Sequence, residues 1–320
     1  MRAIRVEQFG GTEVLQIQQV PDLVPQAGQV LVQIKAAGIN PKDIHYRQGL
    51  YPNLKSPPYT PGIDGAGVIL AIGERVTKVE VGDRVFITTS LTGTYAEQAL
   101  CIERFVHHLP VELSFVQGAG LGVTYATAFR AIFQRARAMP GESILIHGAS
   151  GGVGLAALQL IRNTGLFVIG TAGTKRGLEL IKKEGVDVAI CHKEPNYMDE
   201  IIRQNDGKKL DVILEMQAHL NLGKDLANLA KNGRVVVIGS LGNVEIDPQY
   251  LKDTDGSILS VSLFLATTAE MDIVSAGLNR CLKRGTLNPI IDEVLSLQDV
   301  ATAHKMIETQ SSKGKIILIP

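Results

Sequence analysis

The sequence predicts an α/β chain in two parts, a compact, barrel-like β region and a doubly wound parallel sheet of six strands with helices on both faces. Three observations predict it. Up to about residue 110, short β-rich runs are separated by Gly and Pro: VLQIQQV, QVLVQIKAAGI, GAGVILAIG, GDRVFITT and TYAEQALC. Beyond residue 140, strand-like and helix-like runs alternate, the pattern of parallel βαβ units. At 320 residues the chain exceeds the size at which one hydrophobic core keeps growing, so two domains are expected.

Between the two parts, ELSFVQGAGLGVTYATAFRAIFQRARAM (112–139) has apolar residues at helical spacing, with Pro140-Gly141 as its stop signal. The alternating region then reads SILIHG, helix 152–163, LFVIGT, helix 175–184, DVAI, helix 197–204, LDVILEM, helix 222–231, GRVVVIGS and SILSVSLF. A helix-rich segment, 268–284 and 297–309, ends in KIILIP. Six strands already fill the second sheet, so this last strand is expected to return to the first domain. The expected boundaries are discontinuous: 1–123 plus 265–320, around a central 124–264. Nothing repeats at a fixed period.

Hydrophobic residues make up 45% of the chain and charged residues 20%, the balance of an ordinary globular protein. Thirty-two basic residues offset thirty-two acidic ones, so no overall field attracts nucleic acid or an anionic membrane. No uncharged apolar stretch reaches about 18 residues, and the opening MRAIRVEQFG lacks the apolar core of a signal peptide; a cytoplasmic location is the expectation. Cys101, Cys191 and Cys281 lie far apart without a C-x-x-C pair, which encodes neither a disulfide framework nor a thiolate zinc site.

The stretch ILIHGASGGVGLAALQL (144–160) has two readings. Gly148, Ser150 and Gly152 spell the G-x-S-x-G turn that exposes a hydrolase nucleophile, whereas Gly151 and Gly154 fit a phosphate-cradling turn. Position decides between them. A hydrolase places its turn after several βα units, but this one follows the first strand of the alternating region, where a dinucleotide-binding domain places its phosphate turn. There Gly151 lets backbone approach a pyrophosphate, Gly154 lets the helix pack closely, and the helix N-terminus offers unpaired N–H groups. Ala149 stands where the first glycine usually is. Asp292 and His304 follow in hydrolase-triad order, a pairing any chain this long offers by chance.

An NAD-specific domain carries an acid about 20 residues past the glycines, to bond the ribose 2′-OH. This chain has Ala172 there, followed by Gly173, Thr174, Lys175 and Arg176. A missing carboxylate beside cations favours a 2′-phosphate and hence NADPH, with His192 as a further contact; a merely solvated helix start at Lys175-Arg176 is the competing reading.

Together with AAGINPKDIHYRQGLY (36–51), PYTPGIDGAGV (58–68), GTYAEQAL (93–100) and HGASGGVGLAA (147–157), these residues make the chain resemble the zinc-free, ζ-crystallin type quinone oxidoreductases of the medium-chain dehydrogenase/reductase superfamily. The resemblance runs from MRAIRVEQFGG to KIILIP. It implies a GroES-like catalytic domain made from both chain ends, a central Rossmann domain, and NADPH in the cleft between them. It also implies a homodimer or homotetramer that pairs Rossmann sheets at the edge strand, here SILSVSLF.

Zinc relatives carry a cysteine where this chain has Asn40, a His-Glu pair where it has Ile63-Asp64, and a four-cysteine lobe that its composition lacks, so no catalytic metal is expected. What remains is hydride transfer to an acceptor already activated: a quinone or, alternatively, an α,β-unsaturated ketone or aldehyde. Residue by residue, Ser150, Gly151, Gly152 and Val153 resemble the family's pyrophosphate turn, Gly173 the adenosine-ribose position, and His192 a neighbour of the 2′-phosphate. Asn221, Ile238, Gly239, Ser240, Leu241, Val261, Ser262 and Leu263 fall after the fourth, fifth and sixth strands. Asn40 and Thr124 resemble nicotinamide-side residues, and Tyr51 one at the acceptor mouth. Asn40 is thus a candidate for stabilising the reduced anion and Tyr51 for supplying a proton. His45 stands where the family commonly has a tyrosine and is read as a cofactor contact, with a structural role in a turn beside Tyr46 as the alternative. His107 and His108 are read as structural or solvent-exposed. Members of this type also include AU-rich RNA binders and lens structural proteins, an alternative that the balanced charge disfavours.

Overall fold

The computed structural model describes residues 1–51, 56–309 and 313–320. Strand β1 (Arg2–Val6) pairs antiparallel with β2 (Leu15–Gln19) as a separate ribbon. The main sheet of this region is built around β3 (Gln29–Gly38), where Val30, Val32 and Ile34 alternate into the core. Helix α1 (Pro41–Arg47) follows, started by Pro41 and by a capping box in which the Asp43 carboxylate accepts the Asn40 N–H at 2.9 Å. The sequence reading placed no helix there. Strand β4 (Asp64–Ile72) lies antiparallel to β3 over nearly its whole length and also pairs with β5 (Arg84–Ile87). Strand β6 (Gln98–Ile102) lies on β3, and β7 (Val106–His108) on β5.

The helix expected across 112–139 is broken. It becomes α2 (Phe115–Ala119), capped by Ser114, then α3 (Gly122–Phe129), then wide π-type turns over Arg130–Ala136 that end at Arg137 with φ +52°. Glycines 118, 120 and 122 weaken the helix where it divides.

The alternating region follows as β8 (Ser143–Ile146), α4 (Gly152–Ile161), β9 (Phe167–Ala172), α5 (Lys175–Lys183), β10 (Val188–Cys191), α6 (Tyr197–Gln204), β11 (Leu210–Glu215), α7 (Ala218–Ala227), β12 (Leu229–Val237), α8 (Gln249–Thr254) and β13 (Ser257–Ser260). The six strands are parallel, in the order β10-β9-β8-β11-β12-β13. Strands covered on both faces must be apolar throughout, and Ser143–Ile146 is buried at every position. Strand order reverses between β8 and β11, the switch point outside which such sheets bind ligands. Helix α7 begins at Ala218 rather than the expected residue 222. Gln217 makes no side-chain cap; the Glu215 carboxylate takes the Gln217 N–H instead, so the usual start signal is missing from the sequence.

Finally come α9 (Thr268–Lys283), β14 (Ile291–Ser296), α10 (Val300–Glu308) and β15 (Lys315–Ile319). Strand β15 pairs antiparallel with β3, through Ile317 opposite Gly38 and Leu318 opposite Ala37, and parallel with β14, a strand the sequence reading missed. The chain divides into two units, Met1–Ala126 with Ala266–Pro320 and Thr127–Leu265, the first boundary falling inside α3. Among the described residues, no helix is long and apolar enough to cross a membrane.

Candidate functional site

In the second unit, the turn from β8 into α4 has its N-cap at Gly151, with no side-chain capping bond, so the first N–H groups of the helix lack a side-chain acceptor. A carbon on Gly151 would meet nothing nearer than the Gly148 carbonyl oxygen at 3.4 Å, which leaves the turn open above its backbone. Gly154 is the reverse: its Cβ would sit 2.5 Å from the Ala149 Cα, so only glycine lets the helix settle this close to the turn. Ala149 is tolerated in the usual glycine position because the left-handed residue is its neighbour, Gly148 (φ +57°). Ala149 donates to the Thr171 carbonyl at 2.8 Å, and Gly148 N–H to the Thr171 hydroxyl at 3.1 Å, tying the turn to β9. Ser150 is buried and packs toward Gly177 of α5; Gly152 and Val153 are half-buried on the first turn of α4.

The rim beside the turn is assembled by the ends of β9 and β10. Gly173 lies against His192: a Cβ on it would come within 2.7 Å of the imidazole Nε2. His192 is half-buried, shares a 3.3 Å hydrogen bond with the Thr171 hydroxyl, and is held below its ordinary pKa by burial, with His147 and Lys193 adding repulsion. Lys175 is exposed at the first position of α5, whose N-cap Thr174 accepts from Gly177 N–H at 3.1 Å. At the ends of β11 to β13, Asn221 donates to the Glu215 carboxylate at 3.3 Å, and Gly239 passes so close to Met216 that a Cβ would lie 2.4 Å from its carbonyl oxygen. Ile238 is half-buried; Ser240 and Leu241 are exposed, and Leu241 N–H donates to His219. Val261 and Ser262 are half-buried and Leu263 buried.

Beneath this rim lies a cluster the sequence reading did not contain. His147, the first residue after β8, places its Nε2 2.9 Å from Asp225 of α7 and 3.4 Å from Glu215 at the end of β11, all three buried. Burial alone pulls the His147 imidazole down, but the Asp225 hydrogen bond and the charges of Asp225 and Glu215 outweigh it and raise the pKa. Burial pushes the Glu215 carboxyl up to about 7. Among the described residues this is one group of three whose ligating atoms lie within 4.8 Å of each other. Its signal in the sequence was a carboxylate closing the apolar run LDVILEM.

In the first unit, Asn40 is buried and its amide is fully engaged: Nδ2 donates to Asp64 at 2.8 Å and to Asp43 at 3.3 Å, and Oδ1 accepts from the Lys315 ammonium at 2.6 Å. Lys315 also pairs with Asp64 Oδ2 at 3.1 Å, and the same oxygen accepts the Val123 N–H at 2.8 Å, beside Thr124. The Thr124 hydroxyl is spent on the Gly120 carbonyl at 2.6 Å. By the resemblance, positions 40 and 64 belong to the zinc relatives' ligand set; in this chain the cation among them is the Lys315 ammonium. The sequence reading missed Lys315, whose cue was a lysine opening the apolar strand KIILIP. Burial, with Asp64 nearby, lifts Asp43 to about 7, and Tyr95 donates to it at 3.2 Å. Outside this buried group, half-buried His45, Tyr46 and Tyr51 form a ring cluster, with centroids 6.1 Å apart for His45–Tyr51 and 5.8 Å for Tyr46–Tyr51. Burial raises the Tyr51 phenol and lowers the His45 imidazole.

Two family models match the chain: the alcohol dehydrogenase GroES-like domain over residues 26–133 and the zinc-binding dehydrogenase model over residues 152–275. Human quinone oxidoreductase is 43% identical over the whole chain and 98% of its own length. Among solved structures, Escherichia coli quinone oxidoreductase complexed with NADPH superposes with TM-score 0.91 at 28% identity, covering both chains completely. The CurK enoyl reductase has TM-score 0.91 at 26% identity, over 99% of this chain and 98% of its own. The two family models and the full-length likeness make this chain a member of the quinone oxidoreductase family within the medium-chain dehydrogenase/reductase superfamily.

Proposed function

We propose that this chain is an NADPH:quinone oxidoreductase that works by direct, metal-independent hydride transfer. The observation that carries it is the uncapped α4 N-terminus beneath an open glycine turn, flanked by His192 and Lys175 and lacking a carboxylate at position 172. Unpaired amides on Gly152 and Val153, with the Ser150 hydroxyl, suit a pyrophosphate, while the Gly151 N–H closes the turn on the Gly148 carbonyl at 2.9 Å. Gly173, Lys175 and His192 receive the phosphorylated ribose. Asn221, residues 238–241 and residues 261–263 lie at the carboxyl ends of the following strands, where this fold places the rest of a dinucleotide. Bound there, NADPH supplies a hydride.

On the acceptor side, the roles follow from which hydrogen-bonding groups are still available. Asn40 has no free N–H, so it positions rather than stabilises charge: through Asp43, Asp64 and Lys315 it holds the start of α1 and the first turn of α3. His45 and Thr124 border the nicotinamide half. Tyr51, whose phenol stays protonated at neutral pH, is the proton donor to the reduced anion. Strand β13 is an edge of its sheet, with Leu265 83% exposed just beyond it, and this supports pairing of two copies along that edge.

Initial rates of NADPH oxidation by chelator-treated protein, with 1,2- and 1,4-quinones and with simple enones, test the reading. Quinone turnover that persists after chelation is expected. Turnover of enones alone would transfer the chain to the enone reductases.

A further inference from the structure

The buried cluster of His147, Asp225 and Glu215 has no part in the chemistry above, yet each member reaches the cofactor rim through one covalent or hydrogen-bonded step. His147 directly precedes Gly148 and is anchored by its own N–H to the Leu214 carbonyl at 3.1 Å. One Glu215 oxygen takes both the Gln217 N–H and the Asn221 amide, while the other faces His147. Asp225 belongs to α7, the helix that carries Asn221. Breaking the cluster therefore loosens the turn 148–152 and Asn221 together.

We propose that His147, Asp225 and Glu215 are positioning residues for the dinucleotide, a buried ion-paired cluster that locks the turn 148–152 and the Asn221 amide in the geometry that receives it. This rests on the dinucleotide reading of the site. Burial decides the strength of the effect. An ion pair excluded from water is costly to break because the surviving charge stays unpaired, so removing Asp225 leaves His147 and Glu215 to rearrange. Glu215 Oε2 and Asp225 Oδ2 are buried without a hydrogen-bond partner, and the His147 imidazole is the group that faces both carboxylates.

The cluster also sets a charge. The carboxylates raise the His147 pKa and burial lifts Glu215 to about 7, so ionising Glu215 adds a negative charge beneath a site for anionic phosphates. The groups around it are Lys224 of α7, Tyr197 of α6, whose ring stands edge-on to His147 at 6.3 Å, and His192 and Lys193 after β10. Glu215 is the member poised near neutrality, so dinucleotide affinity weakens as it ionises.

The test is NADPH dissociation constants, by nicotinamide fluorescence, for the wild type, Asp225→Asn and Glu215→Gln between about pH 6.5 and 8.5. Asp225→Asn is expected to weaken NADPH about tenfold while kcat at saturating NADPH stays within about threefold, a split that general destabilisation does not produce. Glu215→Gln, which keeps the oxygen that serves Asn221, is expected to bind like the wild type at the acid end and to lose the wild type's weakening at the alkaline end. Wild-type affinity in Asp225→Asn, or a Glu215→Gln profile parallel to the wild type's, overturns the proposal. If Asp225→Asn does not fold, the Glu215→Gln profile decides. One tightly held divalent metal ion per chain in dialysed protein also overturns it, making the three side chains ligands instead. A wild-type chain that binds no dinucleotide sinks the functional reading and this one together, an outcome distinct from variants that bind as the wild type does.

Discussion

Replacing Lys315 by Met tests whether an internal ammonium takes the place of a metal in the first unit. The Lys315 side chain is 5% exposed and the Asp64 side chain fully buried, with 3.1 Å between the charges. Removing the ammonium leaves Asp64 with only the Asn40 amide and the Val123 N–H, and strips the Asn40 oxygen of its donor. An uncompensated buried charge of this kind costs about 3–5 kcal/mol. The exposed pair Lys78–Asp272, at 2.9 Å with side chains 51% and 55% exposed, is the control, and Lys78→Met should cost less than about 1 kcal/mol. The chain has no Trp, so urea unfolding is followed by circular dichroism. Lys315→Arg should retain most of the stability, and Lys315→Met/Asp64→Asn should recover part of the loss by removing the stranded charge. A Lys315→Met variant within about 1 kcal/mol of the wild type, equal to the surface control, would refute the reasoning.

Other outcomes follow from the same geometry. Lys175→Ala should weaken NADPH about tenfold or more and leave NADH unchanged in parallel titrations, because a charge-assisted bond to a 2′-phosphate contributes about 1.5–3 kcal/mol. Gly154→Ala forces a carbon to within 2.5 Å of the Ala149 backbone and should cost about 1–3 kcal/mol in urea unfolding, while loosening NADPH. Asp43, lifted to about 7 when folded, binds a proton there that the unfolded chain has already lost above about pH 4. The Asp43 contribution to stability therefore falls as pH rises from about 4 toward 7, opposite in sign to that of the buried imidazoles His107 and His304, and Asp43→Asn should remove that contribution, making the difference from the wild type shrink toward acid pH in denaturation series.

The parallel-sheet half of the molecule was legible because its demands are local. Gly148 must take a positive φ, Gly154 must carry no side chain, and strands covered on both faces must be continuously apolar, so HGASGGVG and SILI announce themselves. What was illegible depends on long-range partners. Helix α1 hides behind a proline, and its start is fixed by a reciprocal Asn40–Asp43 box rather than by a Ser or Thr. Helix α7 begins four residues early because Glu215, from the preceding strand, supplies the cap. Strand β14 alternates too weakly to be separated from its helical neighbours until β15 pairs with it. Lys315 and Asp64 are far apart in the chain, as are His147 and Asp225, and no spacing rule joins them. The sequence offered only the oddity of a charged residue bordering an apolar run, which exposed and buried groups share alike.

The central claim is most directly tested by mixing chelator-treated protein, titrated with NADPH or with NADH, against a 1,4-quinone in a single turnover. Preferential binding of NADPH, followed by loss of one nicotinamide hydride per site as the quinone is reduced, is the expected result. Equal affinity for the two nucleotides, or oxidation that appears only when a divalent metal is restored, would contradict it.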